Sequence, residues 1–229
     1  MSRKLALVTG VGPGTGRSTV KRLVDGGYDV AMIARNGERL RGFEAAMPGT
    51  WAFVSDVANV SQFAGTLDRI CEEFGSPELV VHNAVGGVFG NFMEIDPAAL
   101  ETNFQTNVMA LLHLARRLAP SMIKAGRGVI IASGNTSALR GKSSFAGFAP
   151  TKAAQRILAE SLARELGPKG IHVAYVVIDV EWTRARFPNA PDDFFIRPDD
   201  IAGEIWHVAN QPRSAWSFNV EVRPFKETW

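Results

Sequence analysis

The sequence is poor in cysteine and tyrosine, with one cysteine, Cys71, and two tyrosines, Tyr28 and Tyr175, in 229 residues. A single cysteine excludes an internal disulfide. Because Cys71 lies in a helical pattern, we expect it to be a small core residue of a protein in a reducing compartment. Both tyrosines lie in predicted strands, so a site that needs a phenolic proton has few residues to draw on.

Long apolar runs and runs of like charge are also missing. No apolar run approaches the roughly 18–20 residues that span a bilayer. Residues 1–4 lead directly into a strand pattern without the apolar segment and cleavage site of a signal peptide, so we expect a cytoplasmic protein with no membrane partner. The formal net charge is only +2 and the basic residues are scattered, which disfavours nucleic-acid binding.

The chain does have enough apolar residues, 46%, for one sizeable core. It shows no repeats, low-complexity segments or convincing linkers, so residues 1–229 are expected to form a single domain. No metal site is predicted, because the histidines lack the grouping of metal ligands. His113, His172 and His207 show no such grouping, and His82 is expected to be a hydrogen-bonded residue at the end of a strand.

The most informative stretch is residues 3–17. An apolar run, residues 5–8, leads directly into a glycine-dense turn and then into a helical pattern, which is the build of a nucleotide-binding βαβ unit. Glycine allows a tight turn, close approach of a phosphate and close packing of helix on strand, and the helix start offers N–H groups to a pyrophosphate. The residues predicted to hold the phosphates are Gly10, Gly12, Gly14, Thr15 and Gly16.

Predicted strands and helices alternate along the whole chain. The predicted strands cover residues 5–8, 28–34, 51–54, 79–81, 129–132, 173–178 and 218–222. After the helix that follows the glycine turn, the predicted helices cover residues 38–46, 60–74, 97–125, 150–166 and 199–209. This alternation predicts an α/β fold, a single-domain Rossmann fold with a seven-stranded parallel sheet and helices on both faces. Ligands of such sheets bind beyond the carboxyl ends of the strands, where segment 179–198 is predicted to form a substrate lid.

The spacing Thr9-Gly10-x-x-x-Gly14-x-Gly16 resembles that of the short-chain dehydrogenase/reductase family, and the resemblance extends over nearly the whole chain. His82-Asn83-Ala84-Val85 stands where the family usually has Asn-Asn-Ala-Gly. Phe148-Ala-Pro-Thr-Lys152 stands at the place of its Tyr-x-x-x-Lys signature.

The resemblance also implies roles for single residues. It implies that Asp56 and Val57 meet the adenine ring of a cofactor and that Thr183 contacts the nicotinamide amide. It further implies that Lys152 holds the nicotinamide ribose and that Asn107 has a structural and proton-relay role. The other residues expected to frame the cofactor are Asn83, Ala84 and Asp179.

The resemblance breaks at the catalytic groups. In the family, a tyrosine exchanges a proton with the substrate oxygen, the lysine lowers its pKa, and a serine thirteen residues earlier orients the carbonyl. Here Phe148 occupies the tyrosine position and Asn135 the serine position, with Ser133 close by. Neither Tyr28 nor Tyr175 is expected to reach the site. Two of the four catalytic groups are therefore replaced, while much of the cofactor frame is kept.

Three replacements for the tyrosine are open. Lys152 could act as the acid if burial lowers its pKa, and Asp179 could stay protonated if it is desolvated. Ser133 or Asn135 could stabilise an oxyanion without transferring a proton. Each also has a structural alternative: a lysine that only holds the ribose, an aspartate that caps a turn, or polar side chains that satisfy loop backbone. The candidate catalytic positions are Lys152, Asn107, Ser133, Asn135 and the degenerate tyrosine position Phe148.

The choice of cofactor is predicted from the end of the second strand. An acidic residue there would bind the ribose hydroxyls and favour NAD, but the position is Ala34, followed by Arg35 and Asn36. A guanidinium can hold a 2′-phosphate with two hydrogen bonds, so NADP(H) is predicted over NAD(H). The alternative is an Arg35 that is solvated or stacks on adenine.

The resulting prediction is an oxidoreductase that transfers a hydride between NADP(H) and a small carbonyl or alcohol with a non-standard proton donor. The alternative is a catalytically inactive NADP(H)-binding sensor or partner subunit, which shares the cofactor site and differs at Phe148. The resemblance implies a homodimer or homotetramer paired through the helices predicted at 97–125 and 150–166.

Overall fold

The computed structural model describes residues 4–179, 189 and 194–226. Its strands form one parallel sheet of seven in the order β3-β2-β1-β4-β5-β6-β7. The strands are β1 Lys4–Thr9, β2 Tyr28–Ala34, β3 Thr50–Val54, β4 Leu79–His82, β5 Gly128–Asn135, β6 Ile171–Ile178 and β7 Asn219–Val222. The longer helices are α1 Thr15–Asp25, α2 Gly37–Ala46, α3 Val60–Phe74, α4 Pro97–Phe104, α5 Ala110–Ala125, α6 Ala149–Leu166 and α7 Pro198–Ala209.

Helices cover both faces of the sheet, so the predicted fold class is confirmed. On one face, α3, α5 and α6 bury residues such as Phe63, Leu111 and Ala159. On the other face, α1, α2 and α7 bury a second apolar layer that includes Val20 and Ile201. Because both faces are covered, the central strands are apolar throughout rather than alternating, which is why short apolar runs marked them in the sequence.

Most element ends agree with the sequence prediction to within two residues, and two differences are larger. The predicted end of the fifth strand at residue 132 is wrong, because β5 continues to Asn135 and stays paired with β6 as far as Ile178. The small polar residues there do not form an apolar run, so the pairing with β6 extends the strand beyond its sequence signal. The predicted helix 97–125 is interrupted by a π-helical turn, Gln105–Met109, between α4 and α5.

Some predictions fall outside the described residues. Thr183 is one of them, as is most of the segment 179–198 predicted to form a lid. No helix within the described ranges has the length and apolar character needed to cross a bilayer.

Gly134 in β5 is required by the ring of Tyr175 in β6. A Cβ atom added at Gly134 would lie 2.2 Å from Cε1 of that ring, which is fully buried. We therefore expect Gly134→Ala to destabilise the chain by about 1–3 kcal/mol in urea unfolding. Gly65→Ala in α3 is the control, because a Cβ there meets no atom within 4 Å and should stabilise by up to about 1 kcal/mol. Wild-type stability of Gly134→Ala would show that the ring can move.

Candidate functional site

A cleft of about 680 Å³ opens at the carboxyl ends of β1 to β4. Its wall includes every residue of the first half of the chain that was predicted to bind the cofactor. These residues are Gly10, Gly12, Gly14, Thr15, Gly16, Arg35, Asn36, Asp56, Val57, Asn83 and Ala84. The wall also includes residues that the sequence interpretation missed, namely Arg39, Thr102, Asn103 and Thr106.

The glycine turn is held tightly against the end of β4. Gly10 has a φ of +68°, and Nδ2 of Asn83 donates to its carbonyl at 3.0 Å. A Cβ at Gly16 would lie 2.8 Å from the Gly10 oxygen, so only glycine lets α1 start this close to the turn. The N-cap of α1 is Gly14, which supplies no capping side chain. The positive, N-terminal end of the α1 helix dipole therefore lies at the cleft, where it favours the binding of a phosphate.

Two arginines lie at the β2 end of the cleft. Arg35 follows β2 directly, and Arg39 lies four residues later in the first turn of α2. Asn36 between them is the N-cap of α2, where its Oδ1 accepts from the Arg39 backbone at 2.9 Å. This cap fixes the start of α2, and both exposed arginines line the same cleft.

The side chains of Asp56 and Asn103 form hydrogen bonds that stabilise loops around the cleft. Oδ1 of Asp56 accepts from the backbone of Ala58 at 3.0 Å, which shapes the turn after β3. Nδ2 of Asn103 donates to the carbonyl of Gly147 at 2.9 Å and ties α4 to the segment before α6. Asn103 was missed because a single asparagine in a helical pattern gives no sequence signal of such a contact.

Lys152 lies deep beside this cleft rather than on its wall, with 2% of its surface exposed. Its Nζ donates to the carbonyl of Ser133 at 3.0 Å and to Oε1 of Gln155 at 2.5 Å. Burial lowers the pKa of Lys152 from its ordinary 10.5 to about 7, and both hydrogen-bond acceptors are uncharged. Near neutral pH this lysine can therefore both give and take a proton.

Asn107 lies in the π-helical turn and joins the cleft to α6. Its side chain exchanges two hydrogen bonds with the backbone of Gly86, at 2.8 and 3.0 Å, and donates a third to Oγ1 of Thr151 at 2.8 Å. Its carbonyl accepts from Nε2 of Gln155 at 2.8 Å. These bonds give Asn107 a structural role in the architecture of the site.

Phe148 stands at the start of α6 within a cluster of aromatic rings. Its ring centroid lies 5.1 Å from that of Phe89 and 6.4 Å from that of Phe145, and only 7% of its surface is exposed. A Cβ added at Gly87, which lines the cleft, would lie 3.4 Å from the Phe148 ring. The ring is thus close to the cleft, and it brings no ionisable group there.

Two of the other candidate replacements for the tyrosine, Asn135 and Asp179, form structural contacts. Both polar atoms of the Asn135 side-chain amide form hydrogen bonds with the backbone: Nδ2 donates to the carbonyl of Ile178, and Oδ1 accepts from the N–H of Ser137. The Asp179 carboxylate lies 3.2 Å from a nitrogen of Arg223 and 3.4 Å from one of Arg140. Two guanidinium groups stabilise its charged form, which argues against Asp179 as a proton donor.

Ser133 and His82 complete the surroundings of Lys152. The Ser133 hydroxyl is buried and has no hydrogen-bond partner among the described residues, while its carbonyl accepts from Lys152. Nδ1 of the fully buried His82 lies 3.0 Å from Oγ1 of Thr9. Burial, followed by the nearby Lys152 charge, lowers the pKa of His82 to about 3, so this ring is neutral at physiological pH.

Known proteins resemble this chain in sequence and in fold. Residues 4–186 match the family model for short chain dehydrogenases. L-xylulose reductase from Mus musculus is 30% identical over 174 residues, which cover 76% of this chain and 70% of that enzyme. A metagenomic short-chain oxidoreductase, solved in complex with NADP, is 27% identical with a TM-score of 0.86 and 98% coverage of both chains.

A further likeness concerns the fold alone. An alcohol dehydrogenase from the archaeon Thermococcus sibiricus, complexed with 5-hydroxy-NADP, matches with a TM-score of 0.90 at 20% identity and covers 99% of both chains. The family model, in contrast, covers most of the sequence, including the glycine turn and the Lys152 segment. This chain therefore belongs to the short-chain dehydrogenase/reductase family of oxidoreductases.

Proposed function

We propose that this protein is an NADP(H)-dependent oxidoreductase that interconverts a small carbonyl compound and its alcohol. The cleft of about 680 Å³ carries this proposal, because it combines a glycine turn, an uncapped helix start and two arginines. A dinucleotide fits these residues: its pyrophosphate would lie at the start of α1, and its adenosine ribose at the end of β2. The NADP complex of the metagenomic relative supports the same class of cofactor.

The preference for NADP(H) rests on charge at the β2 end of the cleft. Ala34 cannot accept hydrogen bonds from ribose hydroxyls through its side chain, and Arg35 and Arg39 flank the same place. A 2′-phosphate there would meet two guanidinium groups, whereas NADH would offer them no negative charge at that position.

We expect Arg35→Ala and Arg39→Ala each to weaken NADPH binding by about tenfold or more, and the double variant by more than either, because charge-assisted hydrogen bonds contribute about 1.5–3 kcal/mol each. NADH binding should change by less than about threefold. The measurement is a fluorescence titration of each reduced coenzyme.

Arg41→Ala is the matched control, because Arg41 is an exposed arginine of the same helix and does not line the cleft. It should leave both affinities unchanged. Equal losses for NADPH and NADH in Arg35→Ala would contradict the phosphate contact, and no saturable binding of either coenzyme would overturn the proposed function itself.

We propose that Lys152 replaces the missing tyrosine as the proton group. When bound, the nicotinamide supplies or accepts the hydride. In the reducing direction the Lys152 ammonium gives one proton to the substrate oxygen and becomes a neutral amine, which then takes a proton back from water. Its pKa of about 7 supports this role, since both forms are populated at neutral pH.

A binding protein without turnover is the second proposal. It is favoured by the apolar Phe148 ring beside the cleft and by the position of the Lys152 nitrogen away from the cleft wall. A panel of carbonyls and alcohols, assayed with NADPH or NADP, separates the two. Turnover that Lys152→Met abolishes supports the enzyme, whereas tight NADPH binding without turnover on any substrate supports a sensor or partner subunit.

Assembly and location complete the proposal. Family members are commonly oligomeric, so we propose a homodimer or homotetramer paired through α4–α5 and α6. The exposed Ile157 on α6 is compatible with such a contact. We propose a cytoplasmic location on the basis of the sequence alone.

A further inference from the structure

Gln155 lies one turn after Lys152 on α6, and both side chains are almost completely buried. The Gln155 amide joins two parts of the site. Its Nε2 donates to the Asn107 carbonyl at 2.8 Å, and its Oε1 accepts from Nζ of Lys152 at 2.5 Å. Gln155 thus connects the π-helical turn to the lysine nitrogen.

The orientation of this amide follows from its partners. The Asn107 carbonyl can only accept a hydrogen bond, so the Gln155 NH₂ group must face it and Oε1 must face Lys152. The Tyr175 hydroxyl lies 3.4 Å from the same Oε1 and 3.2 Å from the Lys152 carbonyl. Burial raises the pKa of Tyr175, so this hydroxyl stays protonated and donates toward both oxygens. Tyr175 was not expected to reach the site; it does not line the cleft, but its hydroxyl lies one hydrogen bond from Gln155, the partner of Lys152.

The lysine nitrogen has two acceptors, the Ser133 carbonyl and Gln155 Oε1, and no carboxylate contacts it among the described residues. A neutral amine has two N–H donors, which match these two acceptors and leave its lone pair available. An ammonium has three N–H donors and would keep one unused. The other titratable groups near this cluster are His82 from β4, Tyr175 from β6, and Arg156, whose charge acts on Tyr175 from α6.

We propose that Gln155 is a positioning residue for Lys152: its amide bridges the lysine nitrogen to the Asn107 carbonyl and keeps that nitrogen buried beside Ser133 as a group that can exchange a proton. The inference rests on the proposed function, in which Lys152 takes over the work of the absent tyrosine. Without the bridge, the buried nitrogen keeps only the Ser133 carbonyl of these two acceptors, and the charged form of Lys152 becomes more stable if its side chain turns into the hydrated cleft.

The test titrates Lys152 by NMR of protein labelled with ¹³C at lysine Cε, with Lys152→Met to assign its signal. In Gln155→Leu and in Gln155→Asn, whose shorter amide cannot span both partners, the pKa of Lys152 should rise by at least about one pH unit as the nitrogen becomes hydrated. In Gln155→Glu it should rise further, because a carboxylate then faces the nitrogen. If the pKa of Lys152 in Gln155→Leu is equal to or below its wild-type value, the nitrogen stays buried without the bridge. That result would overturn the proposal.

Kinetics provide a second readout once a substrate is found. Gln155→Leu and Gln155→Asn should lower kcat by at least about tenfold and leave the Kd for NADPH within about threefold, since the glycine turn and the arginines are untouched. The control is Gln105→Leu, an exposed glutamine of the π-helical turn, which should keep wild-type kcat. Wild-type kcat in both Gln155 variants would overturn the positioning role. Absence of NADPH binding or of any turnover in the wild type would contradict the proposed function. In that case, the NMR titration would still test whether Gln155 positions Lys152.

Discussion

Lys152→Met is expected to lower kcat/KM by about 10²–10⁴-fold, the usual contribution of a positioned acid or base. Lys152 is the buried cation next to the Phe148 position, and its nitrogen contacts only uncharged oxygens among the described residues. Methionine has a similar length and no proton to give. The measurement is steady-state kinetics with NADPH and the best substrate of the panel, together with the Kd for NADPH.

The position of the lysine predicts how the loss is divided. Because the Lys152 nitrogen does not lie on the cleft wall, the Kd for NADPH should change by less than about tenfold. The loss of the proton group should therefore appear mainly as a lower kcat. The opposite result, a weak Kd with kcat retained, would favour the role of holding the nicotinamide ribose. Lys169→Met is the control, since Lys169 is exposed and forms an ion pair with Glu165.

The same variant should change how stability depends on pH. The pKa of Lys152 is lowered in the folded chain to about 7, from the ordinary lysine value of 10.5 that the unfolded chain retains. Between these values the unfolded chain binds the proton and the folded chain does not, so the free energy of unfolding of the wild type rises with pH. Lys152→Met lacks this rise. The free energy of unfolding of Lys152→Met should therefore exceed that of the wild type by more at pH 6 than at pH 9. Parallel pH profiles would show that Lys152 is not desolvated.

Phe148→Tyr is expected to raise turnover at neutral pH by about 10²-fold, because it adds a phenolic proton at the position where the family holds its tyrosine. The Phe148 ring already lies beside Gly87 on the cleft wall, and Lys152 follows one helical turn later. A positive charge there favours the phenolate and lowers the pKa of the new tyrosine. Activity should be measured in both directions across the substrate panel.

Phe145→Tyr provides the matched control, because this ring belongs to the same aromatic cluster but lies outside the Tyr-x-x-x-Lys register. An equal gain in both variants would indicate a general effect of polarity on the cluster. No gain in Phe148→Tyr, combined with tight NADPH binding and an inactive wild type, would favour the sensor over the enzyme.

Much of the fold could be predicted because its signals are local. The strand Tyr28–Ala34 and the helix Val60–Phe74 have the predicted bounds, since an apolar run bounded by turn residues and an apolar helical period are visible within a few residues. The end of β5 at Asn135 was not predictable in this way. Its pairing partner, β6, lies more than thirty residues further along the chain, and the pairing rather than the composition keeps these residues in a strand.

Many of the residues that line the cleft could also be predicted, because glycines and strand-end positions mark the crevice of a parallel sheet. Arg39 was not predicted, because a single arginine in a helix is usually only a solvated residue. Its candidate role follows from the position of α2, which places Arg39 and Arg35 on the wall of the same cleft. The contacts around Lys152 depend on residues from four separate elements, which no short window of sequence contains.

By itself, the sequence determined the alternation of strands and helices, the glycine turn and the presence of a phenylalanine, Phe148, four residues before Lys152. Each of these is a property of neighbouring residues, whose spacing fixes the local backbone and the burial of one face. Only the tertiary structure decided that Gln155 contacts the lysine nitrogen, and that the Tyr175 hydroxyl and the Asn107 backbone carbonyl in turn contact the Gln155 amide. The reason is physical: burial and hydrogen bonding of Lys152 arise when α6 packs on the sheet beside the π-helical turn, and that packing sets the proton affinity on which the proposed chemistry depends.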